Sequence, residues 1–242
     1  MSPHSPSPAI DVQHLHLRYR NFGWKRNGPW HLENIHFQLQ RGECLGIIGG
    51  NGNGKSTLLK ACAGLLKPCR GKVSFPHRGQ RPALLSLQAG FEMHLSAEDN
   101  AIMKGMLWGI PKSVILEQLD TIFKFAELEQ DRHKRLATYS NGMMARLGFA
   151  IALHADSETY LFDEVFSVGD AVFRQKSSGL LLQKIEDGRS ALFVSHHLEL
   201  IKKFCHKVLW LEKGKQKMLG ETQEVCAAYQ AWVELQKKSS PH

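Results

Sequence analysis

Short apolar runs alternate with turn residues at the start of the chain, give way to a helical stripe in its middle, and return after it. A first strand is predicted over Ile10–Tyr19, followed by a loop, Arg20–Trp30, rich in Gly, Asn and aromatic residues. A second strand near Ile35–Leu39 ends at the turn-like Arg41-Gly42. The run Cys44-Leu45-Gly46-Ile47-Ile48 is apolar without alternation, as a strand buried on both faces should be. It feeds a Gly-rich loop and a helix predicted over Ser56–Leu66. From residue 83 to 135 the texture turns from strand-like to helical. Ser96 with Asp99 three residues on has the form of a capping box, and Pro111 suits the first turn of a further helix. Ile115, Leu119, Ile122, Phe123 and Ala126 then repeat at the spacing of a core-facing helix side.

After this stretch the alternation resumes. Helix 141–154 precedes strand Thr159–Phe162, helix 171–186 precedes strand Ala191–Val194, and helix 198–204 follows. A hairpin over Lys207–Leu219 turns at Glu212-Lys213-Gly214, and a last amphipathic helix runs from Glu221 to Lys238. Such an order implies an α/β fold whose largely parallel sheet carries helices on both faces. Antiparallel pairs are expected near the N-terminus and in the late hairpin. Residues 10–238 read as a single domain with a helical subdomain inserted over about 90–155, and the Ser/Pro-rich residues 1–9 are expected to be disordered.

Composition narrows the class. With 242 residues and 43% hydrophobic positions the chain can bury a sizeable core. No run approaches the roughly 20 apolar residues that span a bilayer, and MSPHSPSPAI lacks the basic and apolar parts of a secretory signal. The expectation is a cytosolic protein whose membrane role comes through a partner. Cys44, Cys62, Cys69, Cys205 and Cys226 are dispersed, without metal-ligand spacing, and read as reduced thiols. The formal charge of +8 reads as solvated faces plus a phosphate site. No nucleic-acid module is recognisable, so no nucleic-acid partner is expected.

Gly49-Gly50-Asn51-Gly52-Asn53-Gly54-Lys55-Ser56-Thr57 matches G-x-x-x-x-G-K-[ST] between a buried strand and a helix. Its glycines let backbone N–H groups approach phosphate oxygens, and the helix start adds its positive pole. Lys55 is expected at the β- and γ-phosphates and the Ser56 hydroxyl on Mg²⁺. Thr159-Tyr160-Leu161-Phe162-Asp163-Glu164 is an apolar strand ending in two acids, and ligands of such sheets sit at carboxyl ends of strands. Asp163 can then hold the magnesium shell, and Glu164 can act as general base on water.

Tyr139-Ser140-Asn141-Gly142-Met143, read alone, is an N-cap serine opening a helix. Its position before Asp163 resembles the signature segment of ATP-binding cassette proteins. The chain resembles that family over roughly residues 10–235, which implies a P-loop NTPase cassette using ATP and Mg²⁺. His196, after Ser195, resembles the switch histidine that touches the γ-phosphate. Ser167-Val168-Gly169-Asp170 resembles the D-loop, with Asp170 also suited to cap a helix. Tyr19 resembles the aromatic residue that stacks on adenine, with Phe22 and Trp24 as rivals. Gln88 is the candidate for the glutamine that joins the metal shell, although its spacing to Asn100 is one residue short. The signature departs from the common Leu-Ser-Gly-Gly-Gln but keeps Ser140 and Gly142.

The Tyr-Ser-x-Gly-Met signature, residues Asp163–Phe173 and Ala89-Gly90-Phe91 resemble a subgroup of cassette subunits. These export bacterial capsule, O-antigen and teichoic acid. Some relatives carry a C-terminal glycan-binding domain, and a chain ending at His242 is expected to be the short form. The resemblance implies two copies paired head to tail, with ATP between Lys55, Ser56 and Asp163 of one and Ser140 and Gly142 of the other. Residues 90–110 would pass motion to transmembrane permease subunits, with the chain at the cytoplasmic face of the inner membrane. Three alternatives make different demands. A soluble cassette ATPase of DNA repair or translation needs a long coiled coil or a second cassette. A non-hydrolysing regulator has no need of both Glu164 and His196, and a P-loop kinase needs an acceptor lid.

Overall fold

The computed structural model describes residues 7–18, 29–75, 82–85, 90–108, 110–154, 157–164 and 171–239. Among the described residues nine strands form one continuous sheet: β1 (Ile10–Leu17), β2 (Leu32–Leu39), β3 (Cys44–Ile48), β4 (Arg70–Ser74), β5 (Ala83–Leu85), β6 (Thr159–Asp163), β7 (Ser190–Val194), β8 (Lys207–Glu212) and β9 (Lys215–Glu221). Their spatial order is β4-β1-β2-β9-β8-β3-β7-β6-β5. The segment β8-β3-β7-β6-β5 is parallel throughout, whereas β1 pairs antiparallel with β2 and β4, and β8 with β9. The expected mixed sheet is therefore present. Two of its strands, β4 and β5, have no counterpart in the sequence reading.

Side chains of the central strands alternate between two cores, as the period of two requires. Cys44, Ile48, Tyr160, Phe162, Ala191, Phe193, Val208 and Trp210 face one core, packed with α5 (Ala171–Glu186), α6 (Leu198–Phe204) and α7 (Thr222–Ser239). Leu45, Ile47, Leu161, Leu192, Val194, Leu209 and Leu211 face the other, with α1 (Lys55–Cys62) and the apolar face of β1–β2. Burial on both faces explains why β3 and β7 read as unbroken apolar runs. Helix α1 is shorter than predicted. Gly64 at φ 74° lets its N–H reach Ala61 O (3.0 Å) while Leu65 N–H reaches Lys60 O (2.9 Å), the double bond of a Schellman stop.

A third apolar cluster joins α2 (Ala97–Leu107), α3 (Lys112–Ala126) and α4 (Asn141–His154). All five residues of the predicted stripe, Ile115 through Ala126, are buried in it. Ser96 caps α2 as its sequence suggests, its Oγ accepting the Asp99 N–H at 3.0 Å. Pro111 sits at the N-cap of α3 rather than in its first turn. Helix α4 is apolar nearly all round because it serves two cores. Leu147, Ala150 and Ile151 face the helical cluster, and Phe149, Ala152 and Leu153 face the sheet. The segment leading into α4 is tied along the start of α2 by N–H bonds from Ala97 to Lys134 O (3.0 Å), Leu136 to Leu95 O (2.9 Å) and Ala137 to Met93 O (3.0 Å).

Candidate active site

Strand register builds the site. Ile47 of β3, Val194 of β7 and Asp163 of β6 stand side by side across the sheet. The segments following all three strands therefore emerge along one edge, at the carboxyl ends where open α/β sheets bind ligands. The loop Gly49–Gly54 leaves β3 here, Glu164 follows β6, and His196 follows β7.

The loop can take its shape only with glycine at two points. Gly49 has φ 145°, and a Cβ there would lie 2.2 Å from Leu211 O on β8. Gly54 has φ 93°, and its Cβ would lie 2.7 Å from Leu32 Cδ2. Gly54 is also the N-cap of α1, offers no side chain to cap it, and no acid lies in the first turn. The helix start therefore keeps its positive pole and its N–H groups for an anion. Gly49→Ala should destabilise the fold by about 3 kcal/mol, seen as a melting temperature lowered by roughly 6–12 °C. An unchanged melting temperature would mean that β8 yields easily to the methyl group.

Lys55 is 6% exposed, and its Nζ donates to Gly49 O (2.8 Å) and Gly50 O (3.0 Å). Burial lowers its pKa, and the nearby carboxylates Glu164 and Asp163 partly offset that. One residue on, Ser56 Oγ donates to Asp163 Oδ1 at 3.1 Å. Asp163 has its pKa raised, mainly by burial and further by Glu164, while the Ser56 bond, Lys60 and Lys55 act the other way. Neighbouring ligands of an octahedral Mg²⁺ bound at about 2.1 Å stand about 3 Å apart, so the Ser56–Asp163 pair fits such an ion. Both are hard oxygen donors, and added positive charge would relieve the buried carboxylate.

Glu164 occupies the left-handed region at φ 56°, anchored by its N–H on Val194 O (3.1 Å). This turn brings its Oε1 within 2.6 Å of His196 Nε2. Ser195, nearly buried, accepts the His197 N–H at 3.0 Å and so fixes the turn that carries His196. The base and histidine expected from sequence are thus in direct contact. Backbone strain at a non-glycine residue is common where a fold presents a side chain for chemistry. Ser140 and Gly142 lie apart from these groups, exposed at the start of α4. There the Ser140 Oγ accepts the Met143 N–H at 3.2 Å, the N-cap bond expected of it.

A family model described as ABC transporter matches residues 32–167, more than half of the chain, including the glycine loop, Ser140 and the Asp163-Glu164 strand end. The chain belongs to the ABC transporter family. Among curated relatives, this cassette is 35% identical over 209 residues to a teichoic acids export ATP-binding protein of Lactococcus lactis, covering 86% of this chain and 44% of that one. An O-antigen export system ATP-binding protein of Myxococcus xanthus is 34% identical over 209 residues, 86% of this chain and 47% of that one. A teichoic acids export ATP-binding protein of Staphylococcus haemolyticus is 31% identical over 216 residues, 89% of this chain and 81% of that one. The cassette thus spans less than half of the first two relatives and most of the third. Among solved structures, an ATP binding subunit of an ABC transporter superposes with a TM-score of 0.77 at 23% identity, over 91% of this chain and 93% of that one. A dimeric post-hydrolysis ATP-binding cassette bound to ADP and Pi gives 0.76 at 21% identity, over 88% and 98%. These likenesses establish the cassette fold, and membership of the family carries nucleotide binding with it.

Tyr19, Phe22, Trp24, Gln88, Ser167 and Asp170 lie outside the described residues of the cassette. The adenine-stacking, metal-shell glutamine and D-loop assignments made for them stay as sequence expectations. Among the described residues, no helix is long and apolar enough to cross a membrane. What the sequence did not reveal is the role of the β8–β9 turn. Asn53 Nδ2 donates to Leu211 O (3.2 Å), and its Oδ1 accepts the Lys213 N–H (3.0 Å). No local signal marks a partnership between residues so far apart.

Proposed function

We propose that this cassette binds ATP with Mg²⁺, hydrolyses it as one of two paired copies, and powers export of a cell-surface glycan polymer through membrane permease subunits. The observation that carries the chemistry is the convergence of Lys55, the Ser56–Asp163 pair and the Glu164–His196 pair at one sheet edge. The loop N–H groups and Lys55 would hold the β- and γ-phosphates, while Ser56 and Asp163 would hold the metal. When bound, Mg²⁺ supplies charge neutralisation between the phosphates. Glu164 takes a proton from the attacking water, and His196, hydrogen-bonded to it, orients that carboxylate and faces the γ-phosphate.

In this reading Ser140 and Gly142 act on the partner copy's nucleotide. Their exposure at a helix N-terminus supports this, since a helix start offers N–H groups to phosphate. Donors from two chains neutralise the triphosphate only when the pair is closed, and hydrolysis separates the phosphates and releases it. Ser140 opens α4, α4 packs with α2 in the helical cluster, and α2 ends in the exposed Met106 and Leu107, a route by which closure would reach a permease at the cytoplasmic face of the inner membrane. The polymer class rests on the teichoic acid and O-antigen export relatives, together with the Tyr-Ser-x-Gly-Met signature.

The test is deletion of the gene in its native cell, with surface glycan and intracellular lipid-linked precursor measured together. Surface polymer should fall while precursor accumulates, and wild-type protein should restore export where Glu164→Gln does not. Normal surface glycan after deletion would remove the export reading while leaving the ATPase intact.

A further inference from the structure

The side chain of Asn53 sits inside the phosphate-binding loop but makes its hydrogen bonds outside it. Its carboxamide uses both ends on the β8–β9 turn, donating to Leu211 O at 3.2 Å and accepting from Lys213 N–H at 3.0 Å. The same nitrogen lies 3.3 Å from where a Cβ on Gly50 would be and 3.5 Å from one on Gly49. The amide therefore fills the hollow beneath the start of the loop. The turn it grips is itself held. Glu33 N–H of β2 donates to Gly214 O at 2.8 Å. A Cβ on Gly214 would lie 2.3 Å from His31 O, so backbone meets backbone there without a side chain between. Lys213 is fixed at φ 48°.

We infer that Asn53 is a positioning residue that braces the phosphate loop against the β8–β9 turn and so holds the loop's N–H groups aimed at the nucleotide. A flexible glycine loop must be ordered before it can bind, and that cost reduces affinity unless something else has already fixed the loop. Two hydrogen bonds to a rigid wall supply this order. Only a carboxamide has a donor and an acceptor in this spacing. Aspartate would keep the Lys213 bond and set a carboxylate against the Leu211 carbonyl. The inference rests on the nucleotide-binding reading above and adds to it a specific brace.

The experiment compares wild type, Asn53→Ala and Asn53→Asp by steady-state ATP hydrolysis, thermal melting, and hydrogen exchange of residues 211–214 with and without a non-hydrolysable ATP analogue. The brace acts equally on bound substrate and transition state, so Asn53→Ala should raise KM about tenfold with kcat within about twofold. Asn53→Asp should do no better despite its equal size. In wild type the analogue should slow exchange across 211–214, and in Asn53→Ala it should not. An unchanged KM in Asn53→Ala overturns the inference. So does a lowered melting temperature with unchanged KM, which marks a structural tether only. If wild type binds no nucleotide, the binding reading fails and the brace falls with it; if wild type binds and Asn53→Ala matches it, the brace alone is lost.

Discussion

Glu164→Gln is expected to lower ATP turnover by about 10²–10⁴-fold, the usual contribution of a positioned general base, while ATP affinity stays near that of wild type. The substitution is a clean one for physical reasons. Glutamine has the same length and the same backbone preferences, so the left-handed φ of 56° at this position costs it no more than it costs glutamate. The bond from the residue 164 N–H to Val194 O is a backbone bond and survives. An amide can still hydrogen-bond to His196, 2.6 Å from the carboxylate in the native chain, so the pair keeps its geometry. What is lost is the capacity to accept a proton from water. Single-turnover hydrolysis and equilibrium binding of ATP, measured on the same preparation, separate the two properties. Turnover within a few-fold of wild type would show that the proton leaves by another route and that Glu164 serves only to orient.

Lys55→Ala should act on binding as well as chemistry. Its ammonium is buried, with its pKa lowered by that burial, and it rests on the carbonyls of Gly49 and Gly50 within the loop. A triphosphate in the loop offers that charge stronger acceptors than two neutral carbonyls. Charged hydrogen bonds are worth about 1.5–3 kcal/mol each, so ATP affinity should fall about 10–100-fold, and turnover by roughly 10³-fold or more. Thermal melting reports this directly. At 100 times its dissociation constant, a ligand stabilises by about 2.7 kcal/mol, which in a chain of this size raises the midpoint by roughly 5–10 °C. That rise should shrink to roughly 1–6 °C in Lys55→Ala at the same ATP concentration, while the midpoint without ATP stays within about 3 °C of wild type. An ATP-dependent rise equal to that of wild type would remove Lys55 from the phosphate site.

Much of this molecule was legible before its structure because much of it is decided locally. Helix α4 begins at the serine-capped Asn141 and ends at His154 as read, because capping and an apolar run act over neighbouring residues. The α3 stripe, Ile115 to Ala126, turned inward as its spacing demanded. The loop from Gly49 to Thr57 announced itself for the same reason, since a phosphate cradle of successive backbone N–H groups needs closely spaced glycines. Helix α1 shows where such reading slips. The apolar Leu65-Leu66 suggested continuation, but Gly64 already carried the stop signal.

Long-range pairing decided the rest. Strand β4, Arg70-Gly71-Lys72-Val73-Ser74, has a polar start and no pattern of its own, and it is a strand because β1 offers it an antiparallel edge. Strand β5 has three residues and exists by its parallel register with β6. The sequence named Glu164 and His196 without joining them, and only the alignment of Asp163 with Val194 across the sheet brings the two together. Asn53 stands 158 residues from Leu211 and 160 from Lys213. The sequence by itself determined where the glycine loop and its flanking elements form and which residues are candidates for the chemistry, because residue type and short spacing set local conformation and reactivity. The tertiary structure alone decided which of them touch, because strand register brings together groups that no local pattern relates.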